Sequence, residues 1–403
     1  MATCIGSHNF KWRKIERMIR SILPRTLVVP LILTALLSHR TAIAAEPVVH
    51  AVIVGDTSPA AQWGKYVVNI TMDTTAMFAS LTSGLPRNQC RIYPLTLEED
   101  DSSTSANVLQ QIADISLKPN DTLLFYFSGH GGADDRGHYF KLAKGQLYRD
   151  EVKQAMQSKR ARLNVLLSDC CNVRGDGFAY MAPGVDDRSP SRPVPLFESL
   201  LLKTSGWVDL NASSPGEAAF FKNPPPSNED AFGDPTYMPG SLFTTALTDF
   251  FQERRSLSLG WRDLVREISV DVHMAFRANY PRGAAPAKGL PVQTAQHVYA
   301  IQYPGMPEKS GPRTGLIVRD RDGHGALIVR VTNDSPGTRV YDVANRRYIA
   351  LVAGQLILAA NDSPVKSAAD LVKVVRHSPQ LMRLVVQDAR GTSSREYLLT
   401  LRY

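Results

Sequence analysis

Two short stretches of this sequence carry residues able to do covalent chemistry. Ser128-Gly129-His130-Gly131-Gly132 closes a nearly all-apolar run, Asp121 to Ser128, and Ser168-Asp169-Cys170-Cys171-Asn172 closes another, Arg162 to Asp169. A thiol attacks carbonyl carbon as the thiolate, and a free thiol titrates near about 8.5. A neighbouring imidazole can take that proton and return it to a leaving amine. The glycines beside His130 let backbone approach a substrate closely. The N–H of Gly131 and that of the nucleophile itself can bind a developing oxyanion, and losing one such donor costs about 2.7–4 kcal/mol of transition-state stabilisation. Blander readings compete. Cysteine often packs as a small core hydrophobe, and a lone histidine is more often a satisfied core residue than a catalyst. Zinc is a poor match, because vicinal cysteines with one histidine lack the usual structural spacing. At this level either cysteine can be the nucleophile.

The chemistry requires that both apolar runs be neighbouring parallel strands, so that His130 and a cysteine emerge at one sheet edge, where reactive residues of α/β sheets stand. The rest of the chain supports that layout. His50 to Val54 and Cys90 to Leu95 read as strands, and Gly206 to Ala212 as another. Apolar residues at helical spacing predict helices over Asp73 to Leu81, with Asp73 as its cap, and over Ser105 to Ser116. Further helices are expected at Arg149 to Gln157, Ser241 to Gln252 and Trp261 to Phe276. Strands alternating with helices predict an α/β layered sheet. Arg174 to Pro195 and Ser213 to Pro239 read as loops or insertions, and Pro304 to Pro312 as a linker. Beyond it, Leu316 to Val318, Ala326 to Thr332, Gly354 to Ala360 and Met382 to Gln387 read as strands, and Ser367 to Arg376 as a helix.

Among the 403 residues, 43% are hydrophobic and 21% charged, which excludes a wholly disordered chain, a collagen or a long coiled coil. Four cysteines exclude a disulfide-stapled scaffold. The formal charge of +8 suggests an anionic partner until it is divided along the chain. Residues 1–44 carry +6, residues 45–311 carry −4, and residues 312–403 carry +6. The first segment reads as an export signal: basic residues from Lys11 to Arg25, the apolar run Thr26 to Leu37, then Ala42-Ile43-Ala44-Ala45. Cleavage after Ala44 would leave +2 and a periplasmic or secreted protein; an uncleaved segment would be a membrane anchor. Nucleic acid is not an expected partner.

From about Val48 to Tyr303 the chain resembles the caspase-like cysteine peptidases, the metacaspase branch most closely. Ser128-Gly-His-Gly131 matches that family's histidine motif and Asp169-Cys170-Cys171 its Asp-x-Cys motif. Asp73 to Leu81, Ala212 to Ala218, Gly240 to Leu247 and Gln293 to Gln296 resemble further family segments, in order. The resemblance implies a caspase-haemoglobinase-like three-layer α/β/α sandwich with a mostly parallel sheet. It implies that Cys171 is the nucleophile, His130 the acid–base, and Gly131 and Cys171 the oxyanion hole. It also implies that Asp73 and Asp169 line a pocket for Arg or Lys, which carboxylates recognise by charge and, for Arg, by bidentate hydrogen bonds. Asn172-Val173-Arg174 departs from the His-Ser-Gly found in many metacaspases. No organic cofactor or resident metal is implied; some relatives respond to calcium, for which Asp134, Asp135, Asp176, Asp186 and Asp187 are candidates. Loops such as Arg174 to Arg192 are candidate self-cleavage sites.

Gly315 to Leu401 resembles a bacterial-type PDZ domain, which holds a C-terminal peptide as an added strand. Gly315, Leu316 and Ile317 match its carboxylate loop. The expected organisation is a signal peptide (1–44), a peptidase domain (45–305), a linker (306–313) and a PDZ-like domain (314–403). The expected function is an exported cysteine endopeptidase acting after Arg or Lys, with the PDZ-like domain recruiting protein or peptide substrates or regulating the enzyme. The rival is a catalytically inactive scaffold of the same fold that works through peptide binding.

Overall fold

A computed structural model of the chain describes residues 46–56, 67–96, 104–142, 144–172, 189–222, 240–284, 292–306, 313–333, 335–378 and 380–401. The expected export signal, the self-cleavage candidates from Arg174 to Arg188, Asp176, Asp186, Asp187 and most of the linker lie outside these residues. Residues 47–403 form one compact unit.

Strand β1 is Val49–Gly55, β2 Cys90–Thr96, β3 Thr122–Ser128, β7 Leu163–Asp169, β8 Gly206–Asn211 and β9 Tyr299–Gln302. Among the described residues they form a sheet in the order β2-β1-β3-β7-β8-β9. Every pairing is parallel except β8 with β9. Between β3 and β7 runs an antiparallel ribbon: β4 (Gly131–Asp134), β5 (Gly137–Leu142) and β6 (Gly145–Tyr148). The longer helices of this domain among the described residues are α1 (Val67–Gly84), α2 (Ser105–Asp114), α3 (Arg149–Ser158), α4 (Leu242–Glu253) and α5 (Trp261–Asn279).

The layers follow from strand alternation. Successive side chains on a strand face opposite ways. On β3, Leu124 and Tyr126 join the core built with α1, α4 and α5, whereas Leu123, Phe125 and Phe127 join the core built with α2, α3 and the ribbon. On β7, Leu163, Val165 and Leu167 go to the first core and Leu166 to the second. Strands buried on both faces are expected to read as continuous apolar runs, as these do.

One expected boundary is corrected. Helix α1 begins at Val67, so Asp73 lies in its interior and does not cap it. Ile70, buried like Met77 and Leu81, extends the apolar stripe upstream of Asp73. The acceptors on α1 serve another helix instead. Asn69 Oδ1 accepts from the Gly240 N–H at 2.8 Å, and Asp73 Oδ1 from the Ser241 N–H at 2.9 Å, at the start of α4.

The C-terminal part is a second sheet with its own core. Its strands are β10 (Leu316–Asp320), β11 (Ala326–Val331), β12 (Val340–Asp342), β13 (Arg347–Ile349), β14 (Leu356–Ala360), β15 (Ser363–Pro364), β16 (Leu381–Gln387) and β17 (Ser394–Thr400). The order is β10-β11-β14-β16-β17-β12-β13, with β15 on β14. Helix α6 (Ala368–His377) covers one face through Leu371 and Val375.

Candidate active site

The β3–β7 register sets the geometry. Ser128 and Asp169 are Cα partners, so His130 and Cys171 each stand two residues beyond one register pair. Parity separates the two cysteines. Tyr126 and Leu167 are partners on the α4 side, and Ser128, His130, Asp169 and Cys171 continue their parity. Cys170 continues the parity of Leu166 and is buried in the opposite core at 1% exposure, whereas Cys171 is half-buried.

The glycines bring the two loops together. A Cβ on Gly131 would lie 2.7 Å from Cys170 Sγ and 2.8 Å from the Cys171 carbonyl oxygen, so only glycine lets the strands' ends pack this closely. The Lys141 N–H donates to the His130 carbonyl at 2.7 Å, and Gly131 is the partner of Phe140. Hydrogen-bonded and non-hydrogen-bonded pairs alternate in an antiparallel ladder. Gly131 therefore falls at a non-bonded pair, with its N–H directed away from β5.

The loop from Cys170 to Asn172 is held at successive backbone groups. The Cys170 carbonyl accepts from Ser213 Oγ at 3.0 Å, and the Cys171 carbonyl from His138 Nε2 at 3.1 Å. The Asn172 N–H donates to the Glu217 carbonyl at 2.9 Å, and the Gly216 N–H to the Asn172 carbonyl at 2.8 Å. Glu217 is itself anchored by His297, whose Nδ1 lies 2.6 Å from Oε1. Gln296 donates to the Ala212 carbonyl and accepts from the Phe220 N–H, each at 2.9 Å. Glu217 lies within the family-like segment Ala212 to Ala218 but is given no role of its own there, and sequence reasoning missed His138 and His297, which stand outside both motifs.

Burial holds both Cys171 and His130 toward their uncharged forms. Burial pushes the Cys171 thiol up to about 11, against the Ala219 carbonyl, which lies 3.8 Å from its sulfur. Burial holds the His130 imidazole well below its usual value, and Lys141 pushes it the same way. The Cys170 thiol is also pushed well up by burial. Cys170 Sγ lies 3.5 Å from His138 Nε2, but its burial keeps it from a substrate.

Asp73 and Asp169 meet at the N-terminus of α4. Ser128 Oγ donates to Asp73 Oδ2 at 2.9 Å. Asp169 Oδ2 accepts from the Thr244 N–H at 3.0 Å, from Thr244 Oγ1 at 2.6 Å and from Ser241 Oγ. Both carboxyls are nearly inaccessible, at 2% and 4% exposure. Burial raises Asp73 well above the carboxylate range and the Asp169 charge raises it further; burial raises Asp169 to about 6. The two carboxyls are thus buried, hydrogen-bonded and held toward their protonated forms.

The remaining candidates lie elsewhere. Asp134 accepts from Tyr148 Oη at 2.7 Å and from the Arg136 N–H at 2.8 Å. Neither it nor Asp135 belongs to a group of three or more metal-ligating side chains among the described residues. Gly315 has φ +70 and precedes the edge strand β10. The Leu316 N–H donates to Thr314 Oγ1 at 3.1 Å, and Ile317 is 43% exposed.

Comparison with known proteins gives a family. The family described as "Caspase domain" matches residues 50–297. Caspase-1 from Spodoptera frugiperda, a solved structure, is 13% identical, with 63% of this chain and 86% of that chain covered and a TM-score of 0.40. The structure of pro-sf-caspase-1 is 14% identical, with coverages of 64% and 88% and a TM-score of 0.38. No curated protein matches.

Proposed function

Since this chain belongs to the caspase-domain family, whose fold and cysteine-peptidase character it shares, we propose that it is a cysteine endopeptidase of the metacaspase-like kind. The observation that carries this reading is the register of Ser128 with Asp169, from which His130 and Cys171 extend equally and on one face. His130 accepts the Cys171 thiol proton as sulfur attacks the scissile carbonyl carbon. The tetrahedral oxyanion is received by the N–H groups of Gly131 and Cys171. His130 then protonates the departing amine, leaving a thioester. Water attacks that thioester, giving its proton to His130, and the thiol is regenerated with release of the carboxylic acid. The starting thiol is neutral, so proton transfer accompanies attack.

The buried, partly protonated pair Asp73 and Asp169 supports cleavage after Arg or Lys, because a guanidinium or ammonium supplies the charge that desolvation otherwise denies them. The C-terminal sheet, with its open edge β10 beside α6, supports a PDZ-like role in substrate recruitment or regulation. Export remains part of the proposal on the basic and apolar character of residues 1–44. The high thiol value and half-burial of Cys171 favour a second reading, an inactive scaffold. An acyloxymethyl ketone probe with Arg at its first position, together with fluorogenic peptides, separates the two. Labelling that disappears in Cys171→Ala, with turnover after Arg or Lys, is expected. No labelling, and wild type indistinguishable from Cys171→Ala, would leave the scaffold; preferred turnover after Asp would reverse the pocket.

A further inference from the structure

We infer that His138 is a positioning residue for the nucleophile, clamping the Cys171 carbonyl to the ribbon that carries Gly131. The inference rests on the peptidase reading above and names a part of its machinery outside both motifs. His138 Nε2 lies 3.1 Å from the Cys171 carbonyl oxygen, and a carbonyl only accepts. The proton therefore sits on Nε2. The same nitrogen lies 3.5 Å from Cys170 Sγ, whose thiol faces Asn211 Oδ1 at 3.5 Å. One ring thus touches both cysteines.

The placement of this clamp is what gives it a role. His138 pairs with Ala133 across β4 and β5, two residues from Gly131. The ring is set edge-on against Phe140, with centroids 5.6 Å apart. Gly131 and Cys171 follow different strands of the main sheet, β3 and β7, and their separation is fixed through the β4–β5 ribbon, which begins at Gly131, and this hydrogen bond. The Cys171 carbonyl orients the Cys171–Asn172 peptide and with it the direction of the thiol. Burial, with Arg149 acting the same way, holds the ring down at about 4, so the clamp stays neutral and does not compete with His130 for protons at neutral pH.

The test contrasts two amides of equal polarity. Glutamine's Nε2 reaches about as far as histidine's Nε2; asparagine's amide stops short. Kinetics of wild type, His138→Asn and His138→Gln are measured on an Arg peptide, with Cys171→Ala as blank. Amide exchange across residues 170–172 is followed in the same proteins. His138→Asn is expected to lower kcat roughly 10–100-fold with KM within about twofold, since about 1 Å of misplacement can cost that much. It is also expected to speed exchange about tenfold or more. His138→Gln is expected to restore most of both. A kcat for His138→Asn within twofold of wild type, or a loss confined to KM, overturns the inference, as does failure of Gln to rescue. If wild type itself turns over nothing, the peptidase reading fails, and the exchange measurement alone still decides the clamp: equal protection in all three proteins overturns it.

Discussion

At the residue scale, strand parity separates neighbours that sequence motifs leave together. Cys170 and Cys171 are adjacent and chemically identical, yet one belongs to the core under α3 and the other to the face bearing Asp169, Ser128 and His130. The residues alone leave either cysteine possible, because both runs are apolar at both parities; the family resemblance selects Cys171, and the register of Ser128 with Asp169 sets it on the histidine's face. The partner of Asp73 was not legible, because it lies more than 160 residues away at Ser241. The acidic pair makes a pH statement. Asp169 is raised to about 6 and Asp73 lies well above the carboxylate range, so the folded chain binds these protons more tightly than the unfolded chain. Their contribution to stability is therefore complete below the unfolded value, near about 4, and is lost as pH rises through the folded value. Ligand recognition runs the other way, since an Arg side chain needs the ionised pair. His130 is also held well below its usual value by burial. The expected outcome is a kcat/KM for an Arg peptide that rises through about pH 6, while the apoprotein's Tm falls over the same range. Asp169→Asn should flatten the Tm profile and lower Arg turnover at least about 100-fold, the order expected for losing a charge-assisted contact. A kcat/KM independent of pH between 5 and 8 in wild type would remove the pair from specificity.

At the level of elements, the long apolar strands and amphipathic helices follow the sequence closely, whereas the β4–β6 ribbon does not. Its strands are four to six residues long and contain Gly131, Gly132, Gly137 and Gly145, with charged residues between. Neither period 2 nor period 3.6 emerges from such a segment. Its structure comes from pairing with itself and from packing against the Cys loop, both of which are tertiary. Yet it carries Gly131 and His138. The close approach of the ribbon to that loop gives a direct test. In Gly131→Ala the new methyl meets the Cys171 carbonyl oxygen, a backbone atom, at 2.8 Å. That atom cannot swing aside as a side-chain end can, so loop and ribbon must part. A drop in kcat of at least about 100-fold is expected from this displacement, with the circular dichroism of the wild type retained. Gly260→Ala, where a Cβ would meet nothing within 4 Å, is expected to leave kcat unchanged. Equal rates for Gly131→Ala and wild type would mean that the approach has no part in catalysis.

On the scale of the whole molecule, α5 is shared by the two sheets. Leu264, Val265, Ile268, Val272 and Phe276 face the peptidase-domain core, while Val270 packs with Leu381 and Leu398, flanked by Met274, Tyr341, Val343 and Tyr348. Arg277 pairs with Glu396, and Arg339 Nη2 lies 3.4 Å from Glu267 Oε1. Partly exposed pairs contribute about 0–1 kcal/mol each, so they set orientation while the apolar contacts supply most of the attachment. Docking uses the β12, β16 and β17 region, whereas β10, the strand carrying Leu316 and Ile317, lies at the far end of the sheet order with one edge open. Parity on β17 makes the joint separable from the second sheet's own core: Tyr397 and Leu399 face that core and Leu398 faces α5. Leu398→Asp therefore places a carboxylate among Val270 and Leu381 without touching the module's interior. Burying an unpaired charge there costs several kcal/mol, more than the joint can bear, so undocking is expected in preference to unfolding. Calorimetry of wild type should show one cooperative transition, and Leu398→Asp should split it into two, each domain melting by itself. A single transition at the wild-type temperature in Leu398→Asp would mean that the two sheets are coupled through some face other than α5.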